Sequence, residues 1–434
     1  MSLARLMVSG GAALFLLGPA RALPLQGQTP QTGQTPPSGQ TRPTFRSATA
    51  LVEVDAVILD GQGRFVPGLV ADDLRLLEDG KPQAIQQFYM VTHDASEPTH
   101  ATTGETSAQA EERAHRVFVL LFDEEHLAND SLMRVKKGAE QFIHDHIGPG
   151  DIGGVFANGA MYKGRLTSDK YELVAGVHSS RPAFDNRQAL LAPFREFPKI
   201  PGEVDAARIT DGALDVVNTL GEQACRDDPF QCQDNGGLQQ VENLIQKKAR
   251  LYIRQARVMT AHTVQNLQYV TGGLSRIPGR KTVVFLSEGF FVEDSRATLE
   301  LIAAQAARGG TAIYSIDGRG LINGLSPNPD VVKAETARST AFDTGEDGPT
   351  ILTAGTGGFM VRNIDDISRG FGLIVRDTST YYVIGYQPEN SVMDGKYRKI
   401  EVKPTVPGLH VRARKGYMAV ALPPLQVMKG GGGT

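Results

Sequence analysis

Apolar residues follow a repeating pattern through the middle of the chain. Three continuous apolar runs, VFVLLFD at 117–123, TVVFLSE at 282–288 and TAIYSID at 311–317, are typical of strands buried on both faces of a parallel sheet. Between them, apolar residues recur at the three- and four-residue spacing of amphipathic helices. Strands that alternate with helices predict an α/β domain with a doubly wound, mainly parallel sheet over residues 116–379.

The segments on either side of this domain alternate apolar and polar residues singly. LVEVDAVILDGQGRFVPGL and DLRLLEDGKPQAIQQF contain Asp-Gly turn signals and predict a β-sandwich-like module over residues 46–92. Residues 380–420 alternate about Asp394-Gly395 and predict a β-meander. Because two-stranded pieces are marginal in water, we expect both segments to form one small β-rich module.

The first 22 residues carry the pattern of a secretory signal peptide. Arg5 precedes an apolar stretch from Leu6 to Leu17, and Ala20-Arg21-Ala22 fits the small-residue cleavage pattern. The stretch is shorter than the about 20 apolar residues of a membrane-spanning helix, and no later segment is long and apolar enough to be a span. We therefore expect a secreted or periplasmic protein, with a retained N-terminal anchor as the alternative.

Polar segments separate the predicted regions. Residues 23–45 include GQTPQTGQTPPSGQTRP, which has no large apolar side chain and predicts a disordered Gly/Gln/Thr/Pro linker. Residues 93–115 are rich in Ser, Thr and Glu and predict a second linker. Residues 421–434, which include KGGGGT, predict a flexible tail.

Charge and cysteine content narrow the possible partners. The chain has 45 basic and 48 acidic residues, a net charge of −3, so it lacks the basic surface that nucleic acid requires. Two cysteines cannot build a disulfide framework or a four-thiolate zinc site. Cys225 and Cys232 lie in the polar stretch CRDDPFQC, where an oxidising compartment favours a disulfide between them, and two free thiols are the alternative.

Oxygen-bearing side chains follow the predicted strands. Asp123 and Glu125 follow the first buried strand, Glu288 follows a later one, and Thr210 stands before a predicted helix. The carboxyl ends of parallel strands meet at one edge, and oxygen ligands from separate loops suit Mg²⁺, Mn²⁺ or Ca²⁺. The set predicts a divalent-cation site. The alternative is that Asp123 and Glu125 are solvated acids and that Glu288 caps the helix after it.

Several longer signatures occur together in a fixed order. After the two N-terminal stretches quoted above come LTSDKYEL at 166–173, PGRKTVVFLSEGF at 278–290, AIYSIDGRGL at 312–321 and YYVIGYQP at 381–388. In this order they resemble the von Willebrand factor type A domain, and most closely a secreted acidobacterial subfamily, over about residues 46–420. The resemblance implies a Rossmann-like, doubly wound sheet.

The family's metal-ion-dependent adhesion site uses an Asp-x-Ser-x-Ser loop, a Thr from a second loop and an Asp from a third. Asp123 matches the first Asp, but Glu125 and Leu127 stand at the two Ser positions. Thr210 is the candidate for the Thr, and Glu288 stands at the third-loop Asp. The resemblance therefore implies a degenerate metal site.

The expected function is an exported, adhesion-type module that binds a protein or an envelope component. A metal-free structural scaffold of the envelope is the alternative. A hydrolase is a weaker rival, because Ser287 stands between a strand and a glycine, but a Gly-x-Ser-x-Gly nucleophile elbow requires glycine where Phe285 stands. No nucleophile has a base at motif spacing, so we do not expect an enzyme.

Overall fold

The computed structural model describes residues 51–93, 116–183, 189–190, 192–290, 292, 295–321 and 347–421. The predicted signal peptide, the first linker, the second linker from residue 94 onward and the tail beyond residue 421 lie outside the described residues.

Strands and helices are numbered in chain order. The strands are β1 (Val52–Leu59), β2 (Leu74–Glu78), β3 (Lys81–Gln83), β4 (Ile85–Thr92), β5 (Val117–Phe122), β6 (Ile152–Ala157), β7 (Ala160–Met161), β8 (Lys281–Ser287), β9 (Thr311–Asp317), β10 (Met360–Val361), β11 (Thr380–Tyr386), β12 (Tyr397–Pro404), β13 (His410–Ala413) and β14 (Gly416–Met418). The α-helices are α1 (Asn129–His146), α2 (Lys170–Ser179), α3 (Glu203–Thr210), α4 (Leu214–Asp227), α5 (Gly237–Leu274), α6 (Arg296–Arg308), α7 (Asp347–Thr356) and α8 (Ile367–Ser379).

A mainly parallel sheet of six strands lies at the centre, in the order β10-β9-β8-β5-β6-β7. Only the short β7 runs antiparallel to its neighbour. The continuous apolar runs form β5, β8 and β9, in which every residue is buried. The α/β class expected from the sequence is the class observed.

Helices cover both faces of this sheet, and the direction of each strand side chain decides which helices it meets. On one face Phe118 and Leu120 pack with α1, α2 and α8, which contribute Leu132, Leu173 and Phe371. On the other face Val119 and Leu121 pack with α5, α6 and α7, which contribute Leu267, Leu299 and Leu352. The two faces therefore build two separate apolar cores.

The chain-terminal segments form two antiparallel sheets of four strands each. Their strand orders are β13-β1-β11-β4 and β14-β12-β2-β3, so each sheet takes strands from both segments. Val54, Leu76, Tyr386 and Ile400 belong to the apolar cluster shared by the two sheets. The predicted β-meander is wrong in detail, because β11 and β12 lie in different sheets. This division gives each sheet enough strands to bury one apolar face.

A helical extension occupies the segment between β7 and β8. Its core is formed by α3, α4 and the first part of α5, where Ala206, Val217 and Ile253 are buried together. The second part of α5 packs against the central sheet, so a single 38-residue helix joins both cores. Among the described residues, no helix combines the length and the apolar character that a membrane span requires.

Candidate functional site

Two strand ends meet where the chain reverses its direction across the sheet. The chain places β6 on one side of β5 and afterwards β8 and β9 on the other side. In open α/β sheets, ligands bind beyond the carboxyl ends of the strands at such a reversal. Asp123 directly follows β5 and Ser287 ends β8, so the topology brings these two residues together.

Asp123 is the centre of a buried hydrogen-bonded group. Its carboxylate accepts from Thr263 Oγ1 at 2.7 Å and from Ser287 Oγ at 2.6 Å. His126 Nδ1 lies 3.0 Å from both carboxylate oxygens and must carry a proton there, since a carboxylate only accepts. All four residues are at most 3% exposed. We call them the Asp123 cluster; its three donors offset the desolvation that a buried carboxylate suffers.

Local backbone geometry supplies two of the three donors. After β5 the chain makes one helical turn, in which the backbone N–H groups of His126 and Leu127 donate to the Asp123 carbonyl. This turn places His126 on the same side as Asp123, and its ring packs beside Phe290 at 5.3 Å. At the end of β8, the backbone N–H of Gly289 donates to Ser287 Oγ at 2.8 Å, which leaves the Ser287 proton for Asp123.

The acids that follow Asp123 have other partners. Glu124 accepts hydrogen bonds from Ser180 Oγ at 2.7 Å and from the backbone N–H groups of Arg181 and Asn158. Glu125 Oε1 lies 3.0 Å from His262 Nδ1 in a partly exposed pair. The three consecutive carboxylates therefore diverge.

Glu288 acts as a helix cap, but for a different helix from the one expected. Its Oε1 accepts from the backbone N–H of Ala128 at 2.9 Å, and Ala128 is the residue that precedes α1. A carboxylate at this position satisfies a free N–H group and lies at the positive end of the helix dipole. Glu288 thus connects the end of β8 to the helix that follows β5.

Thr210 is placed differently from its sequence expectation. It is the last residue of α3, and its hydroxyl donates to the Ala206 carbonyl of the same helix at 2.8 Å. The threonine that contacts Asp123 is Thr263, from the middle of α5. The correction has a physical reason: α5 packs its second half across the sheet, whereas α3 belongs to the helical extension.

The four predicted metal ligands are therefore not brought together. Among the described residues, no group of three or more His, Cys, Asp or Glu side chains is arranged to hold a metal ion. A cation beside Asp123 would meet the protons of its three donors, and Leu127, at the second Ser position, is buried in the apolar core. The ligand set implied by the resemblance does not fit this geometry, and we derive no metal chemistry from it.

A crevice of about 500 Å³ opens next to the Asp123 cluster, beyond the ends of β5 and β6. Its lining includes Glu124, Glu125, Asn158, Arg181, His262 and Tyr269. The Tyr269 side chain is 65% exposed. The crevice thus offers both signs of charge, amide groups and an aromatic ring to a ligand.

The amino ends of the same strands carry buried cations. Lys281, the first residue of β8, is 2% exposed and donates to the carbonyls of Ile277, Gly279 and Gly309 at 2.6 to 2.7 Å. Burial lowers the pKa of Lys281 to about 8. The Arg280 guanidinium lies over the Tyr381 ring at 4.3 Å, which links this end of the sheet to the β-rich module.

His93 lines a cavity of about 300 Å³ at this end. Burial, together with the nearby Arg116 charge, lowers the pKa of His93 to about 4. The Arg116 guanidinium donates two hydrogen bonds to the Asp151 carboxylate, one to each oxygen.

In the helical extension, Cys225 and Cys232 form a disulfide with Cα atoms 5.7 Å apart.

Sequence reasoning missed His126, Thr263 and His262. His126 carried a detectable signal, because a histidine three residues after a strand-end acid lies on the same side of a turn. Thr263 and His262 carried no such signal, because their positions depend on the course of α5, whose 38-residue length was not predicted.

Comparisons with known proteins add little. No family model matches the chain, and no curated protein matches it. Among solved structures, the chain is similar to an aerotolerance-related membrane protein from Bacteroides fragilis that carries multiple mutations to serine. The sequence identity is 12%, the match covers 60% of this chain and 98% of that chain, and the TM-score is 0.26. Similarity at that level decides nothing about this chain.

Proposed function

We propose that this chain is an exported binding module of the von Willebrand factor type A kind, which recognises a protein or an envelope component in the crevice beside the Asp123 cluster. The sequence signatures and the mainly parallel, helix-covered sheet support the fold assignment. The observation that carries the function is the crevice itself, about 500 Å³ in volume and located beyond the strand ends where such sheets bind ligands.

Binding in this proposal uses no resident cation. Both Asp123 oxygens already accept hydrogen bonds, and Glu125 is directed to His262 at the crevice wall. Recognition then depends on the crevice side chains, chiefly Tyr269 and Arg181. This differs from a standard adhesion site, in which the ion itself attracts a carboxylate of the partner.

The two alternative functions, a hydrolase and a structural scaffold, each require a different feature of the structure. A hydrolase would need Ser287 open to a substrate, but its side chain is fully buried and its proton is directed to Asp123. That burial favours a binding module over an enzyme. A purely structural scaffold would need no ligand in the crevice, so crevice occupancy in the native host separates it from the binding module.

Site-specific photo-crosslinking in the native host tests the proposal. A photoreactive amino acid replaces Tyr269, and the matched control replaces Tyr171 on α2, which is 90% exposed and outside the crevice lining. We expect a discrete adduct from position 269 alone that persists with chelator. The same adducts from both positions, or none from 269, would support the scaffold. An adduct lost with chelator would restore the metal-dependent site.

A further inference from the structure

The exposed side of α5 carries an apolar line. Leu244, Leu251 and Val258 are 44%, 60% and 52% exposed. They are spaced by seven residues, close to two helical turns, so they lie nearly in line along about 21 Å of helix. The opposite side of α5 supplies buried residues such as Ala249, Ile253 and Thr260. We call Leu244, Leu251 and Val258 the α5 stripe.

The surface around the α5 stripe is strongly basic. The exposed residues Lys247, Arg250, Arg254 and Arg257 lie between or beside the stripe residues. The sequence contains no Asp or Glu from Asn243 to Ser287, although the whole chain has a net charge of −3. The positive charge is therefore concentrated on this helix and is not a property of the general surface.

A groove of about 290 Å³ runs beside the stripe. Leu251, Val258 and Met259 supply apolar lining, with Arg254, His262 and Glu125 at polar positions. An apolar groove next to a helix, with charges along its rim, is the usual receptor for the apolar face of a second helix. The seven-residue spacing also matches the repeat that a packed helix partner presents.

We propose that the α5 stripe and this groove dock an acidic amphipathic helix of a partner protein. Acidic residues beside the partner's apolar face would meet Lys247, Arg250 and Arg254. A second copy of this chain fits poorly, because two stripes face to face would place like charges opposite one another. An anionic lipid surface fits less well than a helix, because the groove is concave and Glu125 forms part of its lining.

Selection from a peptide library tests this docking surface with the full chain as bait. The library displays helix-forming peptides with randomised surface positions. We expect enriched peptides to carry apolar residues at i, i+3 or i+4 and i+7, flanked by Glu or Asp. The affinity of the best peptide is then measured by fluorescence anisotropy.

The variants are Leu251→Asp and Arg254→Glu, and the matched control is Leu373→Asp on α8, which is 41% exposed. Leu251→Asp should weaken binding at least tenfold, Arg254→Glu several-fold, and the control should leave it unchanged. Circular dichroism verifies folding, which exposed positions should not disturb. Enrichment of neutral or basic peptides, or equal affinity for Leu251→Asp, would overturn the proposal. The proposal would also be overturned if the chain bound anionic vesicles, or associated with itself, and Leu251→Asp abolished that binding. Crosslinking at Tyr269 can succeed or fail independently.

Discussion

The two ends of the central sheet neutralise buried charge in different ways. At the carboxyl end, the Asp123 carboxylate accepts hydrogen bonds from three side chains, one in the turn after β5, one in α5 and one in β8. At the amino end, the Lys281 ammonium donates to backbone carbonyls of nearby turns. The first arrangement needs two particular side chains from distant positions, Thr263 and Ser287, in addition to the nearby His126. The second needs only backbone carbonyls as acceptors. A substitution at the carboxyl end should therefore disturb the structure more.

This difference also bears on function. The Asp123 cluster uses its hydrogen bonds internally, so it positions the crevice wall and offers little to a ligand. The cations at the amino end hold the α/β domain against the β-rich module, through contacts such as Arg414 with the Glu53 carbonyl at 2.6 Å. The Asp123 carboxylate and the Lys281 ammonium are both engaged in hydrogen bonds within the protein.

Asp123→Ala should have the largest effect. It leaves the Thr263, Ser287 and His126 protons buried without their acceptor, and we expect the free energy of unfolding to fall by about 4 kcal/mol. Urea denaturation of the purified protein measures it. Asp123→Asn, which keeps one acceptor oxygen, should lose less. A loss below about 1 kcal/mol for Asp123→Ala would show that these donors find other partners.

Lys281→Met should lower the free energy of unfolding by about 2 kcal/mol in the same urea denaturation assay. The variant leaves three carbonyls without a donor, but it also removes a charge whose burial is unfavourable, and the two effects partly cancel. If Lys281→Met proved as damaging as Asp123→Ala, the proposed contrast between the two ends of the sheet would be reversed.

The sequence predicts the sheet well because strands that are buried on both faces appear in the sequence as continuous apolar runs. The apolar runs of β5, β8 and β9 could be found without any contact information. The position of Asp123 after a buried strand also predicted that it would lie at the carboxyl end of the sheet. The two chain-terminal segments likewise carried enough alternation to predict antiparallel sheets.

The remaining parts depend on long-range packing that no local pattern encodes. Thr210 and Thr263 are both threonines in helices, and only the path of α5 across the sheet decides which one meets Asp123. Glu288 was predicted to be a metal ligand, with capping of the helix that follows it as the alternative, but the neighbouring positions of β5 and β8 place it at α1. Likewise, the assignment of β11 and β12 to different sheets depends on pairing with strands more than 300 residues away.

His93 provides a pH test of the amino end. Its pKa is about 4 in the folded protein and about 6.5 when unperturbed. Between these values the unfolded chain binds a proton that the folded protein does not, so stability falls as the pH decreases from 6.5 to 4. We expect the free energy of unfolding to fall by about 1 to 2 kcal/mol over this pH range, allowing for solvent screening. The difference between wild type and His93→Gln across this range isolates the contribution, and parallel curves would contradict it.

Glu125→Gln should have the smallest effect, although Glu125 lies only two residues from Asp123. Its partner His262 is 55% exposed, and exposed ion pairs contribute little because solvent screens them. We expect a change in the free energy of unfolding below about 0.5 kcal/mol at pH 7. The measurement is repeated with Mg²⁺ and with chelator, because a cation ligand would behave differently from a surface pair. If Glu125 held a divalent ion, Mg²⁺ would stabilise the wild type and the substitution would remove that effect. Equal curves for both proteins, with and without Mg²⁺, are the expected result, and they would show that Glu125, unlike Asp123, contributes little to the stability of the fold.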